Sequence, residues 1–440
     1  MDPAYDRLAP SLKKLLPAKS IDSTAREVQF VRRLRDVRAS LFVWAVVLSR
    51  FGAGVPGFSQ ARQWYARLGG KKLWPRPFQM RFKAASVVAL FQRAFESAVR
   101  PWRERPARVS HPLRRWFPDI VLWDSTGVQL ADVLRRRFKG TGKVGAAALK
   151  VALAISAFGL LPIAAQLVAG NRNDMKLFPR LSLFRRRTLL LFDKGFVVYE
   201  RLGEIARAGL HYLCPMRLNG NPIIVTVNEG PLWVRRALRS HPSGIPLHKL
   251  LPKSKLIGRV WDLEVLLPVA QKAKTRTPTR TRLVIVPGPG HCQRPYLTSL
   301  DAASWTPAAL AEMYRLRWQI ELVFKELKQH LNLESVPSKD PDAVQAFVWA
   351  SLIALAVSRI VAAWIQPLAT LAGLAREYRP SLVSRALRTC AIALAHVLTA
   401  AGTYALMARC LADELSVQAR SRETARCDSF QRLLTLAPAA

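Results

Sequence analysis

Acidic residues are scarce in this chain. Against 68 Lys and Arg stand only 29 Asp and Glu, giving 440 residues a formal net charge of +39. Self-repulsion of that size destabilises a compact body unless a polyanion relieves it, so an ordinary enzyme of small neutral molecules is a poor reading. Cysteine is scarce as well: Cys214, Cys292, Cys390, Cys410 and Cys427 are odd in number and widely spaced. With no Cys-x-x-Cys pair, they exclude a thiolate zinc site and a disulfide framework, and they fit a reducing cytosol. Histidines such as His248 and His291 show no metal-ligand spacing, and no internal repeat is found. The opening MDPAYDRLAPSLKKLLPAKS lacks the continuous apolar core of a signal peptide.

Uninterrupted apolar runs of membrane-spanning length are missing too. Val151–Gly170 is broken at its centre by Gly159-Leu-Leu-Pro162, which suits two buried strands joined by a turn. Ala346–Ile365 contains Arg359, and Cys390–Cys410 contains His396, Thr399 and Gly402. All three are read as protein core, so no membrane association is expected.

What is abundant is dispersed positive charge. It runs from Arg32 and Arg33 through Arg135–Arg137, Arg185–Arg187 and Arg235–Arg236 to the stretch Lys272–Arg282. A targeting tail would concentrate it. Spread over a chain with 50% hydrophobic residues, it implies a folded protein meeting phosphates along a long surface, with double-stranded DNA as the partner.

The pattern along the chain divides it. Residues 1–105 read as a helical region, and as a DNA-binding module or a small helical cap. Within it, Thr24-Ala-Arg-Glu27 has the form of a capping box before Val28, Val31 and Leu34. Ser59–Leu68 forms a helix closed by Gly69-Gly70, and Phe78–Val99 a third helix. Arg100–Pro118, rich in Arg and Pro, reads as a linker. Strands are expected at Ile120–Asp124, in the split run Leu149–Val168, at Leu189–Asp193 and at His211–Met216, with a helix at Tyr199–Ala208, so residues 119–216 form a mixed α/β core. Residues 217–304 look β-rich, Pro307–Leu331 reads as one helix within 305–335, and 336–440 is helical, a candidate dimerisation region.

Two aspartates stand out by context. Asp124 ends the apolar run Ile120–Trp123 and Asp193 ends Leu189–Phe192, positions where a carboxylate is costly unless paired, hydrogen-bonded or bound to metal. A turn-capping Asp is the plain alternative for either. Tyr314, Arg317, Glu321 and Lys328 lie at offsets that place them within roughly 60° of arc on one helix face. One acid, two cations and a phenol on one face suit a phosphodiester, with Glu321 holding metal and Arg317 and Lys328 holding phosphate oxygens; a solvated face with an i,i+4 Arg–Glu pair has the same spacing. Trp318 is read either as a core residue or as a platform for an unpaired base. Asp262 and Glu264 are expected to face solvent, Asp174 to sit in a turn, and Glu326 to point away from Glu321.

The spacing Tyr-x2-Arg-x3-Glu-x6-Lys resembles the Y-R-E-K signature of DDE transposases in the insertion-sequence-4 family. Asp124-Ser125-Thr126 resembles that family's first acidic motif. Asp193-Lys194-Gly195-Phe196 resembles its second, with Lys for Arg and Phe for Tyr, so no role of that tyrosine's hydroxyl is carried over. The resemblance spans about Asp119–Leu331. It implies an α/β, RNase H-like catalytic core with a β-rich insertion, flanked by helical N- and C-terminal regions. It also implies catalytic and metal-binding roles for Asp124, Asp193 and Glu321, with Tyr314, Arg317 and Lys328 on DNA phosphates. Three carboxylates suffice for two divalent ions, Mg²⁺ with Mn²⁺ as substitute, that activate the attacking oxygen and stabilise the leaving one. The expected activity is DNA cleavage at mobile-element ends followed by strand transfer, by a homodimer on DNA in the bacterial cytoplasm and nucleoid. The alternatives are a nuclease or integrase of the same fold, or a DNA-binding protein with lost activity.

Overall fold

A computed structural model describes residues 8–31, 37–52, 57–104, 111–142, 145–217, 220–250, 258–269, 278–336, 338–371 and 380–399. Among the described residues six helices come first: α1 (Leu8–Leu15), α2 (Ala18–Glu27), α3 (Ala39–Ser49), α4 (Phe58–Arg67), α5 (Pro75–Met80) and α6 (Ala85–Glu104). Helix α3, ASLFVWAVVLS, is apolar all round and buried on nearly every side, with α2 and α4 packed against it. Helix α6 buries Val87, Leu90, Phe91, Ala94, Phe95, Ala98 and Val99, a stripe at helical spacing.

Several expectations for this region are corrected. Thr24–Glu27 ends α2 rather than opening a helix, with Val28 as its C-cap; Leu34 lies outside the described residues. The stretch Phe78–Val99 is two helices, because α5 stops at Met80 and α6 restarts at Ala85. Helix α6 also runs into the expected linker, tolerating Pro101 near its end; residues 105–110 lie outside the described residues. Helix α4 ends as expected, Gly69 adopting the left-handed φ of +84°.

The chain then builds one ten-stranded sheet. Its strands are β1 (Ile120–Gln129), β2 (Ala148–Ser156), β3 (Pro162–Ala169), β4 (Leu189–Phe192), β5 (His211–Pro215), β6 (Ile223–Glu229), β7 (Ile245–Pro246), β8 (Trp261–Leu267), β9 (Thr279–Pro287) and β10 (Gln293–Thr298). Helix α7 (Tyr199–Arg207) joins β4 to β5; α8 (Leu232–Arg239) and α9 (Leu247–Leu250) lie among the later strands. The spatial order is β3-β2-β1-β4-β5-β10-β9-β8-β6-β7. Strands β1, β4 and β5 are parallel, β2 and β3 antiparallel. This β3-β2-β1-β4-β5 arrangement is the RNase H-like core. The β-rich segment continues the same sheet, since β10 pairs with both β5 and β9. The split run became β2 and β3 around Gly159, whose φ is +97°.

Helices cover both faces. Alternate residues of β1 and β4 go to opposite cores: Ile120, Leu122, Leu189 and Leu191 join the N-terminal helices, whereas Val121, Trp123, Leu190 and Phe192 join α7. Last come α10 (Pro307–Arg315), α11 (Trp318–Gln329), α12 (Pro341–Leu371), α13 (Pro380–Ala386) and α14 (Ala391–Thr399). The expected single helix Pro307–Leu331 is thus broken at Leu316-Arg317. Over Pro341–Ile365, α12 is long and apolar enough to cross a membrane, yet 83% of its apolar window is buried inside the protein. Arg359, the residue that interrupts the run, pairs with Glu326 of α11 at 2.8 Å through both guanidinium nitrogens, and the Ser384 hydroxyl bonds the same carboxylate. The run Cys390–Cys410 is helical to Thr399 and then leaves the described residues.

Candidate active site

The period-two alternation of a strand decides where the first acid faces. Asp124 shares its parity with Ile120 and Leu122, and so projects toward the layer that holds α11. Contrary to expectation it does not end its strand: β1 continues to Gln129, with Asp124 opposite Leu153 of β2. Asp193 follows Phe192, the last residue of β4, and precedes a short 3₁₀ turn over Lys194–Phe196 without a capping bond from its side chain. Its parity matches Leu191, so it belongs to the same face as Asp124.

The break between α10 and α11 supplies the third side of the site. Arg317 stands at that break and bridges two acids far apart in sequence, donating to Asp124 Oδ2 at 3.0 Å and to Glu321 Oε1 at 2.7 Å. Its guanidinium also lies 5.7 Å from the centre of the Tyr314 ring. Burial pushes the Asp124 carboxyl up to about 6; the charges of Asp193 and Glu321 act the same way, opposed by the Ser125 N–H and Arg317. Burial also raises the Tyr314 phenol, with Asp193 again contributing. Two carboxylates therefore share one guanidinium while the charge of Asp193 acts on Asp124 without a partner on Arg317, a local excess of negative charge inside a protein of net charge +39.

A cleft of about 480 Å³ opens beside Asp124 and Glu321 and is lined by Lys325, Lys328, Gln329 and Glu334 among others. Lys328 faces it as expected but is paired with Glu334 at 2.7 Å. Asp193 does not line this cleft. Trp318 is 54% exposed, which removes the core reading, and Leu322 beside it is 40% exposed. Asp262 is corrected in the other direction. It is buried and bound by Arg282 at 2.8 and 2.6 Å, a link that ties β8 to β9.

Sequence reasoning missed two residues that hold this site. Asp174 accepts from the Ser125 hydroxyl and from Lys150, both at 2.9 Å, on one oxygen. Arg201 donates to the carbonyls of Met175 at 2.8 Å and Phe196 at 3.1 Å. It thereby staples the turn bearing Asp174, which holds the Ser125 hydroxyl next to Asp124, to the turn that follows Asp193. The signal was faint: Asp174 sits in Asn171-Arg-Asn-Asp174, which reads as an ordinary turn, and Arg201 is one of many arginines.

Oxygen donors of this kind suit a hard divalent cation. Among the described residues, however, no three His, Cys, Asp or Glu side chains are gathered closely enough to hold a metal ion. Arg317 is the cation that balances Asp124 and Glu321 here, so an ion on those oxygens would compete with it.

Residues 115–357, more than half of the chain, match the family described as transposase DDE domain. The protein belongs to that family. The transposase for insertion sequence element IS1151 of Clostridium perfringens is 20% identical over 384 residues, 80% of each chain. That for IS231F of Bacillus thuringiensis subsp. israelensis is 23% identical over 377 residues, 78% of this chain and 77% of its own. A cryo-EM structure of a piggyBac transposase synaptic complex with hairpin DNA aligns over 98% of this chain and 85% of its own. Its TM-score of 0.47 and 10% identity are too low to carry an argument.

Proposed function

We propose that this transposase cleaves DNA at the ends of a mobile element and transfers the freed strand, as a member of the insertion-sequence-4 group. The observation that carries this reading is the bridge from Arg317 to Asp124 and Glu321, with Asp193 close enough to push the Asp124 carboxyl up. In this reading Asp124, Asp193 and Glu321 are the catalytic and metal-holding acids. Two Mg²⁺ ions, or Mn²⁺, would supply activation of the attacking oxygen and stabilisation of the leaving one. The residues of the chain do the rest. Arg317 and Lys328 exchange their carboxylate partners for phosphate oxygens, Tyr314 grips the same backbone, and exposed Trp318 offers its ring to an unpaired base.

The helices within residues 1–105 and the region 336–440 serve, in this proposal, DNA binding and dimerisation on element ends in the bacterial nucleoid. The test is nicking of an element-end oligonucleotide with Mg²⁺ present or chelated. Asp124→Ala, Asp193→Ala and Glu321→Ala are each expected to abolish nicking while leaving duplex affinity within about threefold, because the basic surface is untouched. Cleavage within tenfold of wild type would remove that residue from the site. Binding without cleavage in the wild type would favour a DNA-binding protein that has lost its chemistry.

A further inference from the structure

The parallel strands β1 and β4 have their acids at one end and an arginine rim at the other. Arg114 and Arg115 lie in the short turn before β1, and Arg185, Arg186 and Arg187 lie just before β4. About five residues of extended chain separate Asp119 from Asp124, roughly 16 Å. The rim is therefore no part of the cleft beside Glu321.

Its geometry is fixed rather than incidental. Arg187 holds a left-handed φ of +64°, unfavourable for a side chain of its size. Its N–H bonds the Gly209 carbonyl at 2.7 Å, and its Nη2 reaches the carbonyls of Trp116 at 3.1 Å and Arg115 at 3.5 Å, knitting the two arginine segments together. Arg115 stacks on Trp116, 3.8 Å from the ring centre. Arg114 has two guanidinium nitrogens, Nε and Nη2, buried without a hydrogen-bond partner. Arg185 and Arg186 are exposed, with no ion pair among the described residues. Acids lie at this end too: Asp119 is buried, accepts from Ser156 at 2.6 Å and from Ile120 N–H and feels the charges of Arg114 and Arg185, and Asp301 acts on His211 together with Arg187. Guanidinium groups from two segments are thus gathered at one end of β1 and β4, where Asp119 offsets the charge of Arg114 and Arg185 and a polyanion would offset more.

We propose that this rim binds the phosphate backbone of a second stretch of duplex DNA, distinct from the strand held in the cleft. The inference rests on the transposase reading above only for which duplex the cleft holds. Duplex backbone fits better than a single anion because the arginines come from two chain segments, which successive phosphates can engage together.

The experiment compares wild type with Arg185→Ala/Arg186→Ala and Arg185→Lys/Arg186→Lys, both exposed positions outside regular elements. Affinity for a long duplex is followed from about 50 to 200 mM salt by anisotropy, and single-turnover nicking is measured at saturating protein. The alanine pair is expected to weaken binding about tenfold and to flatten the log–log salt slope by roughly 2, with nicking at saturation within twofold. The lysine pair should keep the slope. An unchanged slope in the alanine pair, or nicking at saturation that falls as far as affinity does, overturns the proposal. Binding is read without cleavage, so absent nicking in the wild type would count against the proposed chemistry, while the slopes would still decide the rim.

Discussion

Asp119 shows what a single buried carboxyl costs. Burial pushes it up to about 6, although the Ser156 hydroxyl and the Ile120 N–H bond its charged form and Arg114 lies nearby. A folded-state value above the ordinary 3.8 means that the folded protein binds the proton more tightly than the unfolded chain. The resulting stability is present below about pH 4 and is lost as pH rises toward 6, by an amount on the order of 3 kcal/mol. Asp119→Asn keeps an oxygen acceptor for Ser156 and cannot ionise. Its stability relative to wild type should therefore climb between pH 4 and pH 7, measured by urea unfolding at each pH. A difference that does not change with pH would show that Asp119 carries no such penalty.

At the scale of elements, the acids were legible because strands write them plainly. An apolar run ending in Asp marks where a buried strand meets polar chemistry, and Asp124 and Asp193 both stood out on that ground. The helix that carries Glu321 was legible in part. Nothing in Tyr314-Arg-Leu-Arg317 marks a break, since all four residues are good or tolerable helix formers, and Leu316 and Arg317 keep helical dihedrals while the hydrogen bonds there tighten to i→i+3. Tertiary pairing decided it. The same limit hid Asp262, whose alternation with Glu264 looked solvent-facing because its partner Arg282 lies on another strand. It also hid Arg201, whose two acceptors are backbone carbonyls and leave no trace in sequence. Because Arg201 joins the turn of Asp174 to the turn after Asp193, Arg201→Ala should loosen both together. Hydrogen exchange should accelerate in 174–177 and in 194–197, and nicking should fall about tenfold or more, as expected when catalytic groups lose fixed geometry. Arg201→Lys should not restore it, since one ammonium replaces a fork that reaches two carbonyls. Faster exchange in only one of the turns would break the link.

At the scale of the molecule, the N-terminal helices pose the question of whether the chain is modular. Their sequence reads as a separate basic bundle, but the packing is otherwise. Phe82 stacks on Phe347 of α12 at 5.1 Å with rings nearly parallel, Phe58 meets the same ring at 5.4 Å, and Phe95 lies 5.3 Å from Trp349. Arg50 is fully buried and bonds Ser351 of α12 and the carbonyls of Asn332 and Ser335, in the loop just past α11; burial pulls its guanidinium down to about 9. Asn332 answers with its side chain on the carbonyls of Arg50 and Gly52. One continuous hydrophobic cluster runs from Leu12 through Phe42 and Ile320 to Ala391. Removing residues 1–104 would therefore strip a face of α12, a long apolar helix, and leave a patch far larger than the few hundred Å² a soluble surface tolerates. It would also leave Ser351 and Asn332 without their Arg50 contacts. A fragment beginning at His111 should aggregate, or bind a hydrophobic dye and melt without a cooperative transition, whereas the full chain should unfold with α12 and the N-terminal helices in one step. Sedimentation and near-ultraviolet circular dichroism of the fragment would decide it. A monodisperse fragment with a sharp thermal transition would mean that the ten-stranded sheet stands without the helices, and that their contact with α12 is a docking of separate parts.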